Sequence, residues 1–333
     1  MRSRLLAPLA ASLLVAGSAR AEAPSSTSAP AAAAPAPRVS DPPIPDRRLV
    51  LNNLLAFRYN PLGLEDQLRA GFQQRLYQSD KPLLRDNFFF GGVYPKVNPA
   101  FTKIGPSLEI QPLSIFNLRL GAELIGYYST FGLLQSYRSP LDDFSESALR
   151  RGKDAKRNYA AYGLHVMIEP SVQLRFGPIV LRDKLAVEHW RVKLRAGDRV
   201  FYDVTADTAI GSIGWVIQND LDLLYQRELT SLTGKLRGAR LTAGVRYTTV
   251  QPLYDAADFA PTDDRSRADN GHHRLGPLLA FTFFDDGYSR FNKPTAIVIA
   301  NWYLDHRFRT GADSSAALPY LVLGFAFQSD LLE

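Results

Sequence analysis

The fold turns on fifteen residues, YGLHVMIEPSVQLRF, Tyr162–Phe176. Tyr162, Leu164, Val166, Ile168, Pro170, Val172, Leu174 and Phe176 fall on one face of an extended chain, and Gly163, His165, Met167, Glu169, Ser171, Gln173 and Arg175 on the other. Successive side chains of a strand point to opposite faces, so one face is apolar and the other polar. The alternation runs well past the mean soluble strand of about 5–6 residues. A strand crossing a bilayer at a tilt needs about 9–11 residues. Length, more than pattern, points to a membrane barrel over a sandwich.

The same texture recurs. Leu118, Leu120, Ala122 and Leu124 alternate with Asn117, Arg119, Gly121 and Glu123; Ile104, Pro106, Leu108 and Ile110 with Lys103, Gly105, Ser107 and Glu109; Leu241, Ala243, Val245 and Tyr247 with Arg240, Thr242, Gly244 and Arg246. Twelve strands are predicted, centred near Leu55, Gly71, Phe90, Leu108, Ala122, Glu169, Val187, Trp215, Val245, Leu279, Ile299 and Leu323. Between Leu185 and Leu194 the apolar phase changes, which predicts a bulge. Pro106, Pro170 and Pro277 remove ladder donors and are expected at bulges or rims.

Connections support the same reading. Long polar loops follow the fifth strand (Ser129–Asn158), the ninth (Gln251–His273) and the eleventh (Asp305–Ala316). Tight turns follow the fourth (Gln111–Ser114) and sixth (Gly177-Pro178), and a short Asp285–Gly287 loop follows the tenth. Barrels of the outer membrane alternate short periplasmic turns with long outer loops. Phe88–Phe90, Tyr127-Tyr128, Phe201-Tyr202, Phe283-Phe284 and Trp302-Tyr303 are expected at the membrane interfaces.

Residues 1–21 read as a cleaved secretory signal: Arg2 and Arg4, an apolar stretch from Leu5 to Gly17, then Ala19-Arg20-Ala21. Residues 22–48, rich in Ala, Pro and Ser, form a disordered tether. The barrel domain takes 49–333. Charged residues make up 22% and no long apolar run occurs, which excludes a helical membrane protein but not a barrel. Cysteine is absent, so no disulfide is available to the exported chain. The formal charge of +6 includes the signal arginines and gives no ground for a nucleic-acid partner.

With these features in hand, the chain resembles a Gram-negative outer-membrane β-barrel protein, porin-like and of no specific characterised family. The resemblance rests on PSLEIQPLSIFNLRLGAELIGYYS (Pro106–Ser129), DDGYSRFNKPTAIVIANWYLDHRFRTG (Asp285–Gly311) and the last strand, Leu318–Gln328. It implies an all-β, up-and-down transmembrane barrel of about twelve strands, outer-membrane lipids around it, and the barrel-assembly machinery as a partner. Such barrels commonly end on an aromatic residue. Here six residues follow Phe327, and Ser329–Glu333 are expected to hang in the periplasm.

No catalytic, metal or cofactor motif emerges. His272-His273 beside Asp255, Asp258, Asp263, Asp264 and Asp269 match no metal-loop spacing and read as a solvated outer loop. Arg150, Arg151, Lys153, Lys156 and Arg157 would suit lipid phosphates, but a solvated charged loop is the preferred reading. Lys103, Glu109, Arg119, Glu123, His165, Glu169, Arg175, Arg240 and Arg246 are the lumen-lining candidates. They either line a water-filled pore or pair with one another and close it. The leading expectation is a channel for passive or facilitated passage of small polar solutes. The alternatives are a lipid-modifying enzyme using His165 or His273, and a non-conducting structural or adhesive barrel.

Overall fold

The computed structural model describes residues 45–229 and 238–332. The expected signal of residues 1–21, residues 22–44 of the expected tether and the connection at Thr230 lie outside the described residues; Arg47 and Arg48, placed in the tether from the sequence, belong to the first strand.

The chain forms a closed antiparallel barrel of twelve staves: β1 (Arg47–Tyr59), β2 (Gly63–Gln74), β3 (Phe88–Val93 with Lys96–Val97), β4 (Phe101–Ile104 with Pro106–Leu113), β5 (Phe116–Tyr128), β6 (Ala160–Phe176), β7 (Ile179–Val192), β8 (Ile213–Glu228), β9 (Arg240–Leu253), β10 (His272–Thr282), β11 (Asn292–Asp305) and β12 (Tyr320–Asp330). All twelve predicted centres fall on these staves. The barrel closes where β1 pairs with β12, from Val50 opposite Asp330 to Tyr59 opposite Leu321.

The distribution of burial is inverted relative to a soluble protein. On β6 the apolar residues Leu164, Ile168 and Val172 stay exposed, while His165, Met167 and Glu169 are buried. The same holds for Leu108, Leu120, Leu223, Val245, Leu279 and Leu323, all exposed and outward. In a soluble sandwich the apolar face would be covered by the second sheet. An apolar exterior around a charged interior is the surface of a transmembrane barrel.

Four expectations need correction. No bulge interrupts β7: its register with β8 is unbroken from Ile179–Tyr225 to Arg191–Ile213. The apolar phase changes because Trp190 and Val192 point inward, onto a segment packed inside the barrel. Pro170 and Pro277 sit in mid-stave, neither at a rim nor at a bulge. Each keeps register with one neighbour, while the ladder on its other side is interrupted and resumes unshifted; Pro106 does stand at a break, just after Gly105. The aromatic pairs divide, since adjacent residues of a strand face opposite ways. Phe89, Tyr128 and Trp302 face outward, whereas Phe88, Tyr127 and Tyr303 are buried, and Phe201 and Tyr202 lie wholly inside. Finally, Ser329 and Asp330 belong to β12. Asp330 accepts from Arg48 Nε at 2.6 Å, and Leu331 N–H donates to Leu49 at 2.8 Å.

One end of the barrel carries the long loops 129–159, 193–212, 254–271 and 306–319. The other carries the turns 114–115 and 177–178 and both ends of the described chain. The first corresponds to the outer end, where such barrels carry their long loops.

Candidate functional site

Residues 200–211, VFYDVTADTAIG, mix apolar side chains with Asp203, Thr205, Asp207 and Thr208, and they fold into the barrel. Val200–Asp203 pairs with Thr208–Gly211 and with Ser136–Tyr137, and every residue of the first two strands is buried. Phe201 packs with Tyr127 and Trp190, their ring centroids 6.3 and 5.9 Å away. Asp203 accepts from the N–H groups of Thr205 and Ala206 at 2.9 and 2.8 Å, which shapes the turn. Asp207, at φ 53°, is the anchor. It accepts from Arg309 at 2.6 and 2.8 Å, from Tyr202 at 2.7 Å and from Tyr303 at 2.6 Å. Burial alone would push its carboxyl up, but the Arg309 guanidinium and His306 outweigh this and hold it well below the usual carboxylate range. The hairpin thus fills the outer half of the lumen.

Below the hairpin lies a polar chamber in two adjoining lobes of about 180 and 130 Å³. Glu65, Gln67, Glu169, Lys184, Glu188 and Thr205 line both. Arg246 and Glu169 line the larger lobe, and Lys103, Arg119, His165 and Glu169 the smaller. His165 sits between two carboxylates, Nδ1 at 2.9 Å from Glu123 and Nε2 at 3.0 Å from Glu188, with its ring on Trp190. Lys96 meets Glu123 at 2.8 Å, and Lys103 lies over the Trp190 ring. Arg119 meets Glu169 at 2.7 Å.

Toward the other end the charges pair and apolar groups fill. Glu109 takes both arms of Arg69, at 2.7 and 2.9 Å. Asp222 accepts from Arg182 at 2.8 Å and from Arg246 at 2.7 and 3.0 Å. Leu54, Val180, Leu224, Leu278 and Val322 form an inward apolar cluster. Arg240 is buried, 3.7 Å from Asp285, and Arg175 donates to Gly177 at the turn, both away from the chamber.

The nine predicted residues therefore divide. Lys103, Arg119, His165, Glu169 and Arg246 line the chamber and Glu123 supports it from behind. Glu109 belongs to the paired layer, and Arg175 and Arg240 to the turn end. The alternation argument missed Arg58, Glu65, Lys184, Glu188, Asp220 and Arg274, which also line the chamber. The inward face of β7 runs Val180, Arg182, Lys184, Ala186, Glu188 and Trp190, too mixed to stand out. His272 is buried with Nε2 at 2.9 Å from the Ala206 carbonyl oxygen, and His273 pairs with the Tyr247 hydroxyl. Asp255 and Asp258 cap a short helical turn, and Asp263 and Asp264 accept from Ala260 and Ser266 N–H.

No family model and no curated protein matches the chain. Solved structures to which it is similar include the β-domain of the Bordetella autotransporter BrkA (10% identity, TM-score 0.43, covering 86% of this chain and 99% of that one). The NanC porin matches at 11% identity and TM-score 0.37, covering 84% of this chain and 100% of its own. OmpT, an outer-membrane protein of Vibrio cholerae, matches at 9% identity and TM-score 0.29, covering 86% and 96%. These are likenesses to outer-membrane proteins at low identity and low score, and they assign this chain no activity.

Proposed function

We propose that the protein is an outer-membrane channel for small polar solutes that rests closed and opens when the 200–211 hairpin withdraws. The observation that carries this is the charged chamber kept between the hairpin and the paired layer below it. Buried ion pairs contribute little net stability compared with apolar side chains of the same volume. A barrel needing only to be filled has no use for a polar chamber on its axis, whereas a solute path does. Facing carboxylates and cations across that space would favour dipolar or charged solutes over apolar ones.

The test is reconstitution into planar bilayers. The reading expects brief, infrequent conductance steps from wild type, and an altered cation-to-anion preference in Arg119→Glu. Silence from folded wild type and from hairpin-destabilised variants alike would remove it.

One observation favours a second reading, a non-conducting barrel that presents its outer loops. Both strands of the hairpin are buried, and it is anchored at Asp207 by three side chains. Under that reading no variant conducts. For the enzyme reading, His165 faces the chamber and not the lipid, so an acyl chain would have to enter the barrel to reach it.

A further inference from the structure

The buried arginines inside the barrel fall into two groups. Arg69, Arg119, Arg182, Arg246 and Arg309 each meet a carboxylate at 2.6–2.8 Å, and Arg240 meets Asp285 at 3.7 Å. Arg58 and Arg274 do not. They are 6% and 7% exposed, both line the larger lobe, and neither forms an ion pair among the described residues. The contacts of Arg58 include a long bond from Nη1 to the Val204 carbonyl oxygen at 3.4 Å. Arg274 lies over the Tyr320 ring at 4.0 Å, and its Nε and Nη1 have no hydrogen-bond partner among the described residues.

No carboxylate touches either guanidinium: Glu65 and Asp203 act on Arg58, and Asp220 and Asp207 on Arg274, only from beyond ion-pair distance, and burying a charge without a direct partner is costly. The carboxylates of the lobe make their direct contacts elsewhere. Glu169 is taken by Arg119 and Lys184, Glu188 by His165, and Asp220 by Arg246. Glu65 accepts from Gln67 and makes no ion pair with Arg58. Adjacent staves bring the two arginines to one wall: β12, which carries Tyr320, pairs with β1 through Val322 opposite Arg58, and β11 pairs with β10 through Tyr303 opposite Arg274. The Thr205 hydroxyl, also without a partner, reaches the same lobe from the hairpin turn.

We propose that Arg58 and Arg274 form a binding site for a small oxyanion, a carboxylate or a phosphate, inside the chamber. The planar guanidinium presents paired N–H donors that match such oxygens. A lobe of about 180 Å³ admits a small anion or the anionic end of a small solute. The site stands whether or not the barrel conducts, so failure of the channel reading leaves it intact.

The experiment is thermal unfolding of the folded barrel in detergent, followed by tryptophan fluorescence, with chloride replaced at equal ionic strength by sodium phosphate or sodium acetate. The midpoint should rise with the logarithm of concentration for at least one of the two. A rise with phosphate alone or acetate alone identifies the preferred oxyanion; a rise with both marks a general site. Arg58→Gln and Arg274→Gln should each weaken the effect about tenfold in dissociation constant, while Arg191→Gln, on the exterior, should keep it. A midpoint that neither salt raises above chloride, or a rise unchanged in both chamber variants, overturns the proposal. A second measurement covers poor folding of either variant. In chloride alone, Arg274→Met should raise the midpoint by removing a buried charge that no carboxylate touches, whereas Arg119→Met should lower it by leaving Glu169 with Lys184 alone. If Arg274→Met lowers it as far as Arg119→Met does, the proposal is likewise overturned.

Discussion

Arg309 holds Asp207 with two hydrogen bonds, Nε to Oδ2 at 2.6 Å and Nη2 to Oδ1 at 2.8 Å. This contact ties the loop after β11 to the hairpin that closes the lumen, and bidentate geometry of this kind is among the strongest available to side chains. Arg309 also donates to Asn60 Oδ1 at 2.6 Å, so the β1–β2 turn joins the same knot.

The pH response of the hairpin follows from Asp207. Its folded carboxyl ionises well below the ordinary value of 3.8. A depressed folded value contributes stability that is fully present above the unfolded value and is lost as pH falls through the folded one. Amide hydrogen-exchange protection across 200–211, taken relative to the intrinsic rate at each pH, should therefore be unchanged from neutrality down to about pH 4 and fall only in stronger acid. Loss of protection between pH 7 and 5 would show that another group governs closure.

Asp222 accepts from two arginines at once, and its loss should be felt accordingly. Asp222→Ala removes the carboxylate that Arg182 and Arg246 share, at a cost of about 3–5 kcal/mol. Arg182→Met should cost less, since Asp222 keeps Arg246. Urea unfolding in detergent ranks the two, and equal midpoints would show that the triad does not act as argued.

The seam between β1 and β12 gives a third prediction. Asp330→Ala deletes a charge-assisted bond to Arg48, and about 1.5–3 kcal/mol of barrel stability should go with it. Cold and heated electrophoretic mobility reads this as a lower temperature for conversion to the unfolded band. An unchanged temperature would return the residues after Gln328 to the role of a free tail.

The staves were legible because lipid-facing positions must be apolar every second residue, so Leu164, Ile168 and Val172 declare their face without help from neighbours. The lumen was legible only where its polar face is uniform, as at Arg119 and Glu123. Arg58 and Arg274 were hidden because the inward faces of their staves mix charge with small and apolar residues that serve the inner cluster. The hairpin was hidden for another reason. Phe201 and Tyr202 obey no alternation, being packed on all sides, and in sequence they look like an interfacial aromatic pair. Inward folding of 200–211 depends on partners as distant as Tyr127 and Arg309, which no local pattern reports. The closing tail misled for the same reason, since the pairing of Asp330 with Arg48 spans nearly the whole chain.

The most direct test of the account is single-channel recording from wild type and Asp207→Ala in matched planar bilayers. Removing Asp207 leaves Arg309 with Asn60 and the more distant Glu146, at about 3 kcal/mol, which corresponds to a shift of roughly a hundredfold between closed and open populations. The account predicts wild type mostly closed and Asp207→Ala open for a much larger fraction of the time at the same step size. Wild type already fully open, or two indistinguishable silent traces from folded protein, would contradict it.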